Sequence, residues 1–183
     1  SLLQVRIEDM VAANELFYRG ALARELVAAA RSEGALFTAE DLARWRVKLE
    51  PTVSTTYRGI EVHKLTVWTQ GPAMLQALNV LENADVAGAG YNSARYIHLV
   101  SQAMHLAFAD RDFYYGDPDF PPAEPVAGLL SKAYAQQRFA AIDLSRNRPD
   151  IRPGDPYPFQ GAVHPFRDLL DAFAQDVVKK RYT

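Results

Sequence analysis

Two sets of side chains in this sequence could do acid–base or metal chemistry. One is its four histidines, His63, His98, His105 and His164; the other is the aspartates of AFADRDFYYGDPDF, residues 107–120. His98 and His105 stand seven apart, which on a helix puts them on one face but ~10.5 Å apart along the axis. A metal ion held by one helix wants histidines at i and i+4, so this pair reads as helix surface. His63 falls in a strand-like stretch with no carboxylate at ligand spacing. The sequence contains no His-Glu-x-x-His, phosphate-binding glycine loop, dinucleotide fingerprint or Gly-x-Ser-x-Gly elbow. Ser54, Thr55 and Thr56 cluster three hydroxyls, but strand alternation sends neighbours to opposite faces. Cysteine is absent, so there is no thiolate ligand, thiol nucleophile or disulfide.

Within the aspartate stretch, Asp110, Arg111 and Asp112 close a long helix and Gly116 ends it. Asp117 and Asp119 flank Pro118, which cannot extend a helix. A calcium loop needs oxygen ligands at alternating positions, a central glycine and a distal bidentate glutamate. Here the spacing fails, and Glu124 lies among prolines. Aspartates just past a helix end commonly accept backbone N–H bonds and fix a turn. The expected role is architectural: Asp117 and Asp119 tie the turn, and Arg111 pairs with a nearby carboxylate and holds the loop to the helix. No metal site and no cofactor are expected.

The elements that would carry these residues are legible from periodicity. GALARELVAAARSEG opens after Gly20 with strong helix formers and stops at Gly34, with Leu22, Leu26, Val27 and Ala30 as its apolar stripe. Thr38 followed by Asp41 is a capping-box spacing, which starts a short helix near Ala39. TVSTTYRGIEVHKL alternates on both sides of Arg58-Gly59 and predicts a β-hairpin over 52–65. A helix over 72–83 begins at Gly71-Pro72, and a longer one runs over 94–114 after Asn92 and Ser93. Met74, Leu78 and Leu81 are expected to pack against Ile97, Val100, Met104 and Phe108. Ser131 caps a helix over 131–142. Five prolines between Pro149 and Pro165 predict an extended, poorly ordered stretch, and residues 166–181 suit one last amphipathic helix.

The chain is 183 residues long, 49% hydrophobic and 23% charged, enough for one ordinary domain with its own core. A net charge of −2 gives no electrostatic case for nucleic acid or an anionic membrane. No apolar run approaches the ~20 residues that span a bilayer. The first residue is Ser1 rather than Met, which suits a processed chain or a piece of a longer one.

FYRGALARELVAAARSEGALFTAEDLARWRV, YRGIEVHKL, GPAMLQALNVLENADVAG and HLAFADRDFYYGDPDF, in that order, resemble the gamma-glutamyltranspeptidase family over about residues 10–155. IRPGDPYPFQ resembles the approach to that family's processing site. The resemblance implies an α+β chain, mainly helical with a β-hairpin, forming part of an N-terminal-nucleophile hydrolase αββα sandwich. It implies a precursor that cuts itself into a large and a small subunit. The new N-terminal threonine of the small subunit attacks a gamma-glutamyl amide such as glutathione, its α-amine serving as base.

Most of this chain resembles the C-terminal part of the large subunit, with residues 1–148 as the helical and hairpin region and 149–183 as a proline-rich tail. The implied partners are the small subunit, the N-terminal part of the large subunit and a gamma-glutamyl small molecule. The implied setting is periplasmic or secreted. No catalytic residue is expected in this chain. Thr183 does not qualify, because its α-amine is bonded to Tyr182. The chain departs from the family at Trp68-Thr69-Gln70-Gly71-Pro72, where paired serines and glycines are common, a mark of a sub-branch with different substrates. After Gln160, GAVHPFRDLLDAFAQDVVKKRYT matches no family motif. The alternative reading is a non-catalytic helical binding module built on the same scaffold.

Overall fold

A computed structural model describes residues 2–148 and 151–172 of the chain. The described residues fall into two compact units, divided between Leu49 and Glu50. The first unit holds α1 (Leu2–Tyr18), α2 (Ala21–Ser32) and α3 (Ala39–Arg44). Helix α3 starts where the capping box predicts, with Asp41 N–H donating to Thr38 Oγ1 at 3.2 Å and Thr38 N–H donating to Asp41 Oδ2 at 2.8 Å. Tyr18 stacks on Trp45, centroids 5.1 Å apart. The apolar stripe expected on α2 is met at Val27, which is buried, but not at Leu22 and Leu26, which stay exposed; Ala23 is buried instead, and its small side chain lets the helix approach its neighbours closely there.

The second unit opens with the predicted hairpin, β1 (Val53–Tyr57) and β2 (Ile60–Lys64), antiparallel with Thr55 opposite Val62. Arg58 and Gly59 turn it at φ values of 49° and 83°, the left-handed pair a two-residue type I′ turn demands. Arg58 is held there by its N–H donating to Glu82 at 2.7 Å and its guanidinium donating to Ala84 O at 3.0 Å. Then follow α4 (Gly71–Leu81), α5 (Ala94–Tyr114), α6 (Val126–Leu129) and α7 (Lys132–Ala140), with a 3-10 turn at Tyr157–Gln160. Ser93 and Ser131 cap α5 and α7. Buried Asn79 on α4 joins three elements. It accepts from Thr55 of β1 at 2.7 Å and from Lys132 at 2.6 Å, and it donates to Leu130 O at 2.9 Å.

Helices α4 and α5 do pack together, but only partly through the face that periodicity selects: Leu81 lies in the core and Val100 packs against it, as expected. The core of this unit is Val80, Leu81, Leu99, Ala103, Leu106 and Ala135. Ile97, Met104 and Phe108 remain 52%, 41% and 36% exposed, and Met74 is exposed as well. Helix α5 is apolar on two faces. The face with more small residues, Ala103 and Ala107, nests against α4, while Ile97, Met104 and Phe108 form a second stripe that the described residues leave exposed.

The proline-rich stretch forms no helix or strand over 151–156, but it is pinned rather than poorly ordered: Pro156, Tyr157 and His164 are buried. Proline pattern fixes backbone conformation and says nothing about contacts. Residues 167–172 are helical, and the rest of the helix expected over 166–181 lies outside the described residues.

Candidate functional site

The end of α5 carries a buried polar centre built around Asp110, which is 1% exposed. Its Oδ2 accepts from Tyr134 Oη at 2.9 Å and from Gln76 Nε2 at 3.2 Å. Its Oδ1 accepts from the backbone N–H of Gly154 at 2.8 Å and pairs with Arg138 at 3.1 Å. Burial pushes the Asp110 carboxyl up from its ordinary value, opposed by the Arg138 charge and by the hydrogen bonds it accepts. Burial likewise pushes up the phenols of Tyr114, Tyr115 and Tyr134, keeping them neutral donors. Tyr115 donates to Gln76 Oε1 at 2.6 Å, which orients that amide toward Asp110.

One turn further along α5, Tyr114 Oη donates to Gly154 O at 2.6 Å and lies 2.9 Å from His164 Nε2. His164 Nδ1 accepts from Phe166 N–H at 3.0 Å. A backbone N–H can only donate, so the His164 proton sits on Nε2 and points at the Tyr114 oxygen. The imidazole is neutral, and burial holds its pKa below the ordinary 6.5, opposed by the Asp155 charge. Tyr114, Tyr157 and Phe113 surround the ring. Arg167 of the same segment pairs with Asp155 at 2.8 Å.

A folded-state pKa depressed below the unfolded value means that the unfolded chain binds the proton more tightly. The stability from docked, neutral His164 is present above pH 6.5 and is lost as pH falls through 6.5 toward the lower folded value. Thermal melts from about pH 7.5 to about pH 5.5 are expected to show a falling melting temperature. His164→Gln is expected to remove most of that slope, and an unchanged slope in the variant would reject the assignment.

The other candidate residues are structural. His98 Nε2 lies 2.8 Å from Asp143 O and so ties α5 to the loop after α7, while His105 is exposed. His63 sits 3.1 Å from Thr52 and 3.3 Å from Glu61 on the exposed hairpin. Thr55 is buried, with Ser54 and Thr56 exposed on the opposite face. Asp117 accepts from Asp119 N–H at 2.9 Å and so ties its turn. Arg111 pairs with Asp112, donates to Gln70 Oε1 at 2.7 Å and lies over the Phe108 ring at 4.7 Å. Among the described residues no three His, Asp or Glu side chains gather where they could hold a metal ion, and no helix is long and apolar enough to cross a membrane. Thr183 lies outside the described residues. A cavity of about 270 Å³ beside the polar centre is lined by Phe113, Tyr115, Asp117, Glu124, Tyr157 and Phe166, among others.

Sequence spacing singled out Asp110 only as part of a helix end. Its partners Gln76, Tyr134, Arg138 and Gly154 lie 24 to 44 residues away in the chain, and no local pattern announces them. The geometry gathers hydrogen bonds around a carboxylate and a backbone amide, and they tie α4, α5 and α7 to the stretch that carries Gly154.

The gamma-glutamyltranspeptidase family model matches residues 8–166. The glutathione hydrolase proenzyme of Escherichia coli (strain K12) is 35% identical over 157 residues, covering 83% of this chain and 27% of that protein. The acylase ACY 1 proenzyme of Pseudomonas sp. (strain SE83) is 35% identical over 133 residues, 72% of this chain and 24% of that protein. Among solved structures, Helicobacter pylori gamma-glutamyltranspeptidase superposes with a TM-score of 0.72 at 34% identity, over 86% of this chain and 44% of that one. The chain thus spans about a quarter of the length of these curated relatives. Its helices and antiparallel hairpin make an α+β arrangement shared with N-terminal-nucleophile hydrolases of this type. With a family match over most of its length and a fold to agree, the chain belongs to the gamma-glutamyltranspeptidase family.

Proposed function

We propose that this chain is the large-subunit portion of a gamma-glutamyltranspeptidase-like enzyme, working through an N-terminal threonine outside Ser1–Thr183. The observation that carries this reading is the match over residues 8–166 to a family whose curated relatives are proenzymes about three times as long as this chain. The threonine hydroxyl attacks the gamma-carbonyl carbon of glutathione or a related amide while its own α-amine takes the proton; the amide C–N bond then breaks, and the departing amine carries that proton away. The acyl-enzyme is then resolved by water or by an amino acid. This chain contributes scaffold, the Asp110-centred anchor and an apolar face for the remainder of the precursor. Those remaining parts, the N-terminal region of the large subunit and the small subunit, are its partners.

The likeness to an acylase supports a second reading, in which the amide cleaved is not gamma-glutamyl. Gln70, at the family's usual paired serines, is engaged by Arg111 and so builds a different surface before α4.

The test is a rate comparison on a chromogenic gamma-glutamyl amide, and on the same leaving group with an acyl chain lacking the α-amino group. The isolated chain is expected to be silent, and the full precursor to cut itself and turn over the first substrate. Faster release from the second substrate favours the acylase reading. Turnover by the isolated chain rejects the proposal, and a correctly cut but silent full-length protein favours the non-catalytic binding module.

A further inference from the structure

We infer that Asp110 and Tyr114 are positioning residues for the precursor's self-cleavage, because they grip both polar groups of Gly154 and so fix the segment that runs on toward the cut. The inference rests on the reading that this chain is the upstream part of a self-cutting precursor. The geometry is specific. Asp110 and Tyr114 are i and i+4 on α5, hence neighbours on one face. The first accepts from Gly154 N–H at 2.8 Å and the second donates to Gly154 O at 2.6 Å. A Cβ on Gly154 would overlap the Tyr134 hydroxyl, so the segment lies directly on the polar centre. The hold continues on either side: Arg138 donates to Arg152 O at 2.8 Å, and Gln160 Oε1 accepts from Gly128 N–H at 2.9 Å.

A fully buried carboxylate is costly unless its partners satisfy it, and here one of those partners is the backbone N–H of Gly154. That expense is accounted for if the position of the downstream chain matters. Self-cleavage is an attack within one chain. The threonine oxygen bonds to the carbonyl carbon of the preceding residue, that carbon's bond to the threonine nitrogen breaks, and the freed amine takes the hydroxyl proton. Water then splits the resulting ester to a carboxylate and the regenerated hydroxyl. Such a step needs the reacting atoms held about 3 Å apart, and a misplacement of about 1 Å costs on the order of a hundredfold.

The experiment follows conversion of the full precursor to two chains over time, alongside its melting temperature. The proteins are the wild type, Tyr114→Phe, Gly154→Ala and, as a packing control, Leu99→Ala, a core change about three helical turns before Asp110 on α5. Tyr114→Phe deletes one hydroxyl. It is expected to slow cutting at least about tenfold, the range a loosened reacting geometry predicts, for a small loss of melting temperature. Gly154→Ala is expected to slow it more. Leu99→Ala is expected to lose more melting temperature yet cut within about twofold of wild type. If Tyr114→Phe cuts at the wild-type rate, or slows only in proportion to its loss of stability as Leu99→Ala does, the inference is wrong while the proposed function stands. If the wild-type precursor never cuts, the proposed function fails and takes the inference with it.

Discussion

Replacing Ile97 and Met104 together by glutamate is expected to leave the isolated chain as stable as wild type while lowering turnover of the assembled enzyme at least a hundredfold. Both side chains stand on the uncovered stripe of α5, 52% and 41% exposed, and exposed substitutions usually change stability by less than about 0.5 kcal/mol. Leu99, two positions from Ile97 and 2% exposed, provides the contrast, since Leu99→Ala is expected to cost about 2–5 kcal/mol. The same stripe carries Phe108, with Met74 exposed on α4. Exposed apolar side chains gathered on one helix suit an interface, and this chain covers 44% of its structural neighbour's length. Two carboxylates buried against an apolar partner without counter-charges are each costly by several kcal/mol, and ~1.4 kcal/mol already shifts an equilibrium tenfold. Co-purification of the cut chains together with the rate assay checks this. Full assembly at full rate would mean the stripe faces water in the enzyme.

Asp110→Asn is expected to destabilise the chain by about 3–5 kcal/mol, the usual cost of removing one partner from a buried ion pair. The Arg138 guanidinium, 11% exposed, would keep its charge and lose its carboxylate. The amide would also present an N–H₂ where both carboxylate oxygens now accept, and Tyr134, Gln76 and Gly154 would compete for one acceptor. For a chain of this size the corresponding fall in melting temperature is roughly 10 °C. Removing both charges, Asp110→Asn with Arg138→Met, is expected to recover part of the loss, so the double-mutant cycle should show coupling above about 1 kcal/mol. Additive single effects, or a loss below about 1 kcal/mol for Asp110→Asn, would show that the pair is solvated and the centre is not the anchor described.

The sequence by itself determined the local elements, because each is encoded by neighbours. Thr38 and Asp41 three residues apart start α3, Ser93 and Ser131 start α5 and α7, and Arg58-Gly59 closes the hairpin between two alternating runs. The order of its motif blocks also determined the family, since the match covers residues 8–166. Only the tertiary structure decided which side of α5 is core. Periodicity marks every apolar face, and where a helix has two, the choice depends on which surface fits closely against α4: Ala103 and Ala107 do, and Met104 and Phe108 are left exposed. The polar centre was equally closed to sequence reading. Asp110 meets Gln76, Tyr134, Arg138 and Gly154 only after the chain has returned across itself. A buried carboxylate is specified by the geometry of what satisfies it, and spacing along the chain carries no record of that.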